Sequence, residues 1–197
     1  MQGTVVADMR KRIVDAAIMI AAQSGFARAT TKEIAREADC SEGIIYHYFS
    51  SKNELFLAVI KENGEDFLRQ VKSEAACGRT SREKLERIID FHFHYFTGNL
   101  HIFQILFGKS ADATIPFPFV LKTVLLPYQK VIEQEVVRGI RSEEFNTINA
   151  GVVASSLLGM MQLNIIKMHF GVKDDSVEEV KKTVKHLLFK TLQRARP

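Results

Sequence analysis

The sequence contains few of the residues that build disulfide-stapled, metal-clustered or fibrous proteins. Among its 197 residues there is no tryptophan, four are proline and only two, Cys40 and Cys77, are cysteine. Two distant cysteines cannot form a disulfide framework or a zinc cluster, so we expect a protein of the reducing cytoplasm. Hydrophobic residues make up 46% of the chain and charged residues 25%. This composition predicts a globular protein with a substantial core.

The signatures of common enzymes are also missing. The sequence has no glycine-rich phosphate loop, no Gly-x-Ser-x-Gly elbow and no His-Glu-x-x-His motif. His92 and His94 lie two residues apart, and on a helix their imidazoles diverge by about 200°, which does not favour a shared metal ion. We therefore predict no enzymatic activity, no cofactor and no metal site.

The charge balance permits a polyanionic partner without requiring one. Lysine and arginine number 27 against 23 acidic residues, which gives a formal net charge of +4. Binding to nucleic acid would thus depend on well-placed groups rather than on total charge.

Apolar residues recur at helical spacing along nearly the whole chain, which predicts an all-α fold. The pattern indicates about nine helices. They are predicted at residues 7–24, 31–38, 42–48, 52–76, 81–97, 100–107, 117–141, 146–169 and 174–194. Gly25 is placed to end the first helix in a left-handed conformation, and Pro127 predicts a kink or a late start in the seventh.

Residues 145–166 carry no charged side chain, and 22 residues are enough to cross a bilayer. Polar side chains are nevertheless scattered around this segment, and they are costly in hydrocarbon. We expect a buried or subunit-interface helix here and no membrane association.

Residues 28–52 have the pattern of a helix-turn-helix. Thr30 or Thr31 can cap a short helix, a tight turn follows at residues 39–40, and Ser41 can cap the next helix. The first of these helices turns three apolar residues inward, Ile34, Ala35 and Ala38.

On the second helix, Ile45 and Phe49 are spaced to point inward and leave the opposite face exposed. The residues on or beside that face are Gly43, Ile44, Tyr46, His47 and Tyr48. Such a face suits a DNA major groove, because glycine admits close approach, isoleucine can contact a thymine methyl group, and tyrosine and histidine can reach phosphates or base edges. Packing of the two tyrosines against the first helix is the alternative.

Four segments carry a resemblance to a known family: Gly25-Phe26, Thr30-Thr31-Lys32-Glu33-Ile34-Ala35, Ser41-Glu42-Gly43-Ile44-Ile45-Tyr46-His47-Tyr48-Phe49 and Lys52-Asn53-Glu54-Leu55. Together they resemble the DNA-binding domain of the TetR family of bacterial transcriptional regulators, over residues 10–60. The resemblance implies phosphate contacts for Thr31, Tyr48 and Lys52. It places Gly43, Ile44, Tyr46 and His47 at the groove. Thr30 and Ser41 complete the predicted DNA-binding set.

The resemblance also implies two domains and a function. Residues 1–51 would bind DNA, and residues 52–197 would bind an effector and form a dimer, with residues 52–76 as the linking helix. The expected protein is a homodimeric repressor that a small apolar effector releases from a palindromic operator in double-stranded DNA.

Seven of the 14 phenylalanines fall between Phe91 and Phe119. Aromatic residues at helical spacing are often plain core, but the resemblance favours a cavity for an apolar small molecule between the helices. The predicted ligand-binding residues are Phe93, Phe96, Phe103, Phe107, Tyr128 and Gln162.

The last two predicted helices have the pattern of a dimer interface. Small side chains on the helix at 146–169 allow another helix to approach closely, and apolar residues recur every three or four positions along the helix at 174–194. The predicted interface residues are Ala154, Val180, Val184, Leu187, Leu188 and Thr191. Intramolecular packing is the alternative. To enter successive major grooves, the two recognition helices of a two-fold dimer would lie about 34 to 36 Å apart, which is one turn of DNA, or one turn farther apart than that.

Two other functions stay open at this point. One is an enzyme or lipid carrier that uses the phenylalanine-rich cavity, and the other is a nucleoid-associated DNA-binding protein without an effector. Sequence-specific binding to the DNA upstream of the gene would separate both from a regulator.

Overall fold

The computed structural model describes residues 2–99, 116–172 and 176–193, with side chains from residue 8 onward. All regular elements in these ranges are helical, which confirms the predicted all-α fold. The helices are α1 (Gln2–Ser24), α2 (Thr31–Glu37), α3 (Glu42–Tyr48), α4 (Lys52–Ala76), α5 (Ser81–Gly98), α6 (Phe117–Val120), α7 (Leu126–Arg141), α8 (Ala150–His169) and α9 (Val177–Leu192). A π-helical segment, Leu121–Leu125, connects α6 to α7. The helix predicted at residues 100–107 lies outside the described residues.

Side-chain caps set the starts of α2 and α3. The Thr30 hydroxyl accepts a hydrogen bond from the Glu33 amide at 3.2 Å, and the Glu33 carboxylate accepts one from the Thr30 amide at 2.9 Å. This reciprocal pair is a capping box. The Ser41 hydroxyl caps α3 in the same way by accepting from the Ile44 amide at 3.3 Å.

The turn between α2 and α3 is a left-handed helix cap at Asp39, whose φ is +50°. The Cys40 amide donates to the Ala35 carbonyl at 2.9 Å, and the Asp39 amide donates to the Arg36 carbonyl at 3.3 Å. These two bonds form a Schellman motif, which satisfies carbonyls at the end of α2. Because the turn is closed in this way, the direction of α3 is fixed by local hydrogen bonds.

The chain divides into two units, and the first comprises Met1–Glu65 with Asn99–Thr123. The side chains of Ile34, Ile45 and Phe49 are at most 2% exposed in its core, which confirms the predicted inward face of the helix-turn-helix. The first half of α4 also belongs here, since the ring of Phe56 meets that of Phe26 edge-on at 4.3 Å. This unit therefore extends to Glu65 rather than ending at the predicted residue 51.

The second unit comprises Asp66–Gly98 and Val124–Pro197. In it α5, α7, α8 and α9 pack on one another around buried aliphatic and aromatic side chains. The turn after α7 folds back closely, and a Cβ atom at Gly139 would lie 2.1 Å from Cδ2 of Phe145. Glycine is required there because any larger residue would displace the buried Phe145 ring.

Two helix boundaries differ from the sequence pattern. The helix predicted to start at residue 146 starts at Ala150, because the Asn149 side chain accepts from the Val152 amide at 3.1 Å and caps α8. The helix predicted at 117–141 is interrupted by the π-helical segment directly before Pro127, which is in the first turn of α7. Proline has no amide hydrogen, and this interruption confirms the predicted kink or late start.

By length and composition, α8 is the one described helix that is apolar enough to cross a membrane, with a mean hydropathy of 1.3. About a third of that span, 33%, is buried inside its own chain. Helix α8 packs against α5, α7 and α9, as a core helix does. Its remaining exposed apolar residues are considered below with the dimer surface.

Candidate nucleic-acid interface and ligand site

The outer face of α3 points to solvent, as predicted. Gly43 and His47 are exposed, Tyr46 is 51% exposed, and Ile44 and Tyr48 are half-buried. The opposite side of the helix is anchored by Ile45 in the core of the first unit. Burying an isoleucine side chain stabilises a fold by roughly 1.5 to 3 kcal/mol, so the core holds the helix while its polar face stays free.

Thr31 joins the start of α2 to the exposed face of α3. Its hydroxyl donates to the Glu42 carboxylate at 2.7 Å and lies 3.5 Å from the Tyr46 hydroxyl. The predicted phosphate-binding hydroxyl and a predicted groove-facing residue are thus brought together at the surface. Glu42 takes up the one hydrogen that Thr31 can donate, so a phosphate would have to compete with it.

Thr30 and Ser41 serve as helix caps, which limits their contact with DNA. The Thr30 hydroxyl both accepts from the Glu33 amide and donates to the Glu33 carboxylate, at 3.2 and 2.7 Å. The Thr30 hydroxyl and the Thr30 amide both donate to the Glu33 carboxylate, and these two bonds lower the pKa of Glu33, which stays ionised. Both capping residues are exposed at helix N-termini, where neighbouring amides and the helix dipole favour an anion.

Lys52 lies at the start of α4, where the helix dipole disfavours a cation. Its ammonium group donates to the Ala27 carbonyl at 2.9 Å and lies 5.8 Å from the centre of the Phe56 ring. These contacts explain its placement and fix its position beside the helix-turn-helix. An ammonium group has three donors, so two are left for a phosphate.

One cation of this surface was missed by sequence reasoning. Lys32 is exposed on α2 next to Thr31, and no described residue offers it an acidic partner. A surface lysine in a charged segment carries no distinguishing sequence signal. Only its position beside the exposed face of α3 marks it as a phosphate contact.

Three of the predicted ligand residues, Phe93, Phe96 and Tyr128, lie in an aromatic cluster of the second unit. Phe93, Phe96 and Tyr128 are at most 3% exposed, and Gln162 is half-buried. Phe103 and Phe107 lie outside the described residues. The Phe67 ring packs against Phe96 at 5.3 Å and against Tyr128 at 5.0 Å between ring centres. Phe67 lies on the linking helix α4 and joins that helix to the cluster, as expected of it from the sequence.

His92 is the polar member of this cluster and is completely buried. Its Nδ1 lies 3.3 Å from the Tyr128 hydroxyl, and its ring stacks on the Tyr128 ring with centres 5.8 Å apart. Burial lowers the pKa of His92 to about 3 and raises that of Tyr128. Both groups are therefore uncharged at neutral pH. The Nε2 atom of His92 is buried without a hydrogen-bond partner.

Residues 13–59 match the family described as bacterial regulatory proteins, tetR family. The match spans the helix-turn-helix whose geometry is given above. These residues form a DNA-binding domain of the tetR-family type.

Transcriptional regulators are among the proteins of known sequence that this chain resembles. The fatty acid metabolism regulator protein of Bacillus subtilis is 24% identical over 133 residues, which cover 68% of this chain and 69% of that protein. The HTH-type transcriptional regulator BetI of Agrobacterium fabrum is 36% identical over 84 residues, 43% of this chain and 41% of that protein. The chain is a DNA-binding transcriptional regulator.

The solved structures that are similar cover almost the entire chain. FadR from Bacillus subtilis, in complex with stearoyl-CoA, has a TM-score of 0.81 at 20% identity and covers 93% of this chain and 99% of that one. The fatty acid degradation regulator FadR from Bacillus halodurans has a TM-score of 0.78 at 20% identity, with coverages of 91% and 93%. At this identity the likeness shows the fold.

The structure corrects part of the predicted dimer surface of this chain. Ala154, Val184 and Leu188 are at most 3% exposed, and Val180 is 8% exposed, so their side chains already pack within one chain. They have little surface left to bury against a second copy. Of the predicted residues, Leu187, at 48% exposed, and Thr191 point outward.

Helix α8 has an exposed stripe whose small residues, Ser155 and Gly159, were among those predicted to keep this helix slim, and whose apolar residues, Val152 and Leu163, were not predicted. Val152 and Leu163 are each 59% exposed, and Ser155 and Gly159 are exposed between them. A Cβ atom at Gly159 would meet nothing within 4 Å, so the middle of this stripe is open. These four residues with Leu187 are called the α8–α9 stripe below.

The second unit also has an open cavity of about 740 Å³ away from the aromatic cluster. It is lined by α9, the start of α5 and the turn before α8, with a predominantly basic set of charged side chains: Arg82, Lys182, Lys185, Lys190 and the single carboxylate Glu144. The Glu144 carboxylate accepts from the Ser81 and Arg82 amides at 3.1 and 3.2 Å and so caps α5. None of the predicted ligand residues lines this cavity.

Proposed function

We propose that this regulator is a homodimeric repressor that binds a palindromic operator through α3 and leaves it when an acyl-chain effector binds the second unit. The observation that carries the proposal is the outward face of α3, with Tyr46 and His47 exposed while Ile45 anchors the helix. Such a helix can place side chains on base edges, and the neighbouring α2 brings Thr31 and Lys32 toward the phosphates.

The phosphate contacts must be few and well placed. Residues 1–52 contain seven lysines and arginines against six acidic residues, so their net charge is close to zero. Helix N-termini, hydroxyl groups and the two cations Lys32 and Lys52 supply the anion-binding groups. We therefore expect weak non-specific binding and a clear preference for one sequence.

The effector is proposed from the aromatic cluster together with the relatives. A fatty acid metabolism regulator is among the similar proteins, and one FadR of similar fold was solved with stearoyl-CoA. The second unit places Phe93, Phe96 and Phe67 around a buried polar pair, which suits an apolar chain that carries one polar group. We propose a long-chain acyl thioester as the effector.

Helix α4 is the proposed route from effector to DNA. It is one continuous helix that contributes residues to both units, with Phe67 in the aromatic cluster and Phe56 in the core that holds the helix-turn-helix. An effector that repositions Phe67 would move the helix. Release from the operator requires that the effector bind the DNA-incompetent conformation more tightly than the DNA-bound one.

The test is operator binding by matched lysine variants, measured by fluorescence anisotropy with the DNA upstream of the gene at several salt concentrations. Lys32→Ala removes a proposed phosphate contact, whereas Lys61→Ala removes an equally exposed lysine from α4. We expect the first variant to bind more weakly and to lower the slope of log affinity against log salt by about one, and the second to match the wild type.

Equal binding by both variants and the wild type would contradict the proposed phosphate contact. Absence of any preference for the upstream DNA over unrelated DNA would contradict the operator itself. A carrier or enzyme would give that second result and would still bind the acyl ligand.

A further inference from the structure

Two buried side-chain nitrogen atoms in the described part of the second unit, one on His92 and one on Gln162, make no hydrogen bond. His92 on α5 is completely buried, and its Nε2 has no partner. The Nε2 atom of Gln162, on the adjacent helix α8, is also buried without a partner. A buried polar atom that makes no hydrogen bond costs roughly 1 to 3 kcal/mol, and native proteins contain few of them.

The pairing with Tyr128 determines which hydrogen His92 carries. The Tyr128 hydroxyl is buried, stays protonated, and lies 3.3 Å from Nδ1 of His92. If the hydroxyl donates to Nδ1, its hydrogen is satisfied and the neutral imidazole keeps its own hydrogen on Nε2. The opposite arrangement would leave the tyrosine hydrogen without an acceptor in this pair. The geometry therefore favours His92 as an Nε2–H donor.

This donor lies among apolar rings. The His92 ring is 4.8 Å from the Phe96 ring and 5.6 Å from the Phe93 ring, between ring centres. An N–H group in such surroundings discriminates strongly between a ligand with an oxygen acceptor and one without, since no water compensates for a missing partner. The same surroundings accept methylene groups on either side of that oxygen.

We infer that the Nε2–H of His92 donates a hydrogen bond to the carbonyl oxygen of the acyl effector, with Tyr128 as the positioning residue that fixes the imidazole tautomer. The inference rests on the proposed acyl-thioester effector and specifies how its polar group is recognised. The chain of the acyl group packs against Phe93 and Phe96, and Gln162 supplies a further donor. A ligand of the same length without the carbonyl would leave His92 unsatisfied and bind more weakly.

The test compares two ligands that differ in one oxygen atom. Stearoyl-CoA has the thioester carbonyl, and S-octadecyl-CoA replaces it with a methylene group. For the wild-type protein we expect titration calorimetry to give about tenfold tighter binding of stearoyl-CoA, as one buried hydrogen bond provides.

The variants separate recognition from folding. His92→Phe/Tyr128→Phe removes both partners while keeping ring shape, so it should fold and bind both ligands with nearly equal affinity. Tyr128→Phe alone removes the hydroxyl group that fixes the His92 tautomer, and it should reduce the preference for stearoyl-CoA severalfold. His94→Phe, an exposed histidine of the same helix, should keep the wild-type preference.

The outcomes that overturn the inference are distinct from those that overturn the proposed effector. Equal wild-type affinity for the two ligands, or an unchanged preference in the double variant, would show that His92 does not recognise the carbonyl, while acyl-CoA binding stands. Failure of both ligands to bind the wild type would overturn the acyl-thioester effector and this inference together.

Discussion

At the scale of single residues, the helix-turn-helix uses some polar side chains to position its helices and leaves others exposed for contact with DNA. The hydroxyl groups of Thr30 and Ser41 cap α2 and α3, whereas the side chains of Tyr46, His47 and Lys32 are exposed. The sequence shows both kinds of residue in one motif and does not distinguish them. Thr30 and Ser41 are predicted from the sequence both as caps and as DNA contacts, and only the structure shows that capping engages their hydroxyl groups. Lys32 is recognised only from the structure, because no described carboxylate pairs with it.

The buried His92 predicts a dependence of stability on pH. Its pKa is about 3 in the folded protein and near 6.5 in an unfolded chain. Between these values the unfolded chain binds a proton that the folded protein does not, so the free energy of unfolding falls as the pH drops below about 6.5. At pH 5 the loss from this residue is about 2 kcal/mol, at 1.36 kcal/mol for each pH unit.

Urea denaturation at pH 7 and pH 5 checks this in the wild type and in His92→Phe/Tyr128→Phe. The double variant should lose less stability between the two pH values, by about 2 kcal/mol, because every other titrating group is common to both proteins. Parallel losses in the two proteins would show that His92 is protonated in the folded state.

At the scale of elements, local sequence signals were sufficient to predict the bounds of two helices that begin at a side-chain cap. The predicted helices at 31–38 and 42–48 agree with α2 and α3 to within a residue, since capping and apolar spacing act within a few positions. The start of α8 was predicted four residues early, although the Asn149 cap that begins it is a local signal. The Asn146 amide donates to the distant Leu192 carbonyl at 3.0 Å, a contact before the helix that no local pattern encodes.

The turn before α3 provides a prediction at this scale. Asp39 has φ +50°, which a β-branched residue does not tolerate. We expect Asp39→Val to lower the free energy of unfolding by about 1 to 2 kcal/mol and to weaken operator binding, since the turn sets the direction of α3. Asp39→Gly should be at least as stable as the wild type, to within about 0.5 kcal/mol.

Urea denaturation of the two variants is the measurement. Valine and glycine both remove the carboxylate that lies 3.4 Å from Arg12, so the comparison isolates the backbone conformation. Similar stabilities for the two proteins would mean that Asp39 does not need the left-handed conformation.

At the scale of the whole molecule, we propose that two copies of the chain meet through the α8–α9 stripe. The sequence pattern correctly marked the last two helices as apolar on one side. It did not show which apolar residues the chain covers by itself, so Val184 and Leu188 were assigned outward although they are buried. Tertiary packing decides this, and only Leu187 and Thr191 of the predicted set remain available.

Leu163→Asp should therefore separate the proposed dimer, because it places a charge within a surface that must be desolvated. Leu126→Asp alters a leucine of comparable exposure on α7, 47% against 59%, and should leave the dimer intact. Sedimentation velocity distinguishes the two. A dimer that survives Leu163→Asp would move the interface away from α8.

The central claim, that the outer face of α3 reads DNA as part of a two-fold assembly, is tested most directly by selection from a random DNA library. The wild type should enrich a symmetric sequence whose half-sites are centred about 10 base pairs apart or a multiple of that spacing. His47→Ala should change the preferred base at one symmetric pair of positions and leave the spacing unchanged. Enrichment of no sequence, or of the same sequence by both proteins, would contradict the account.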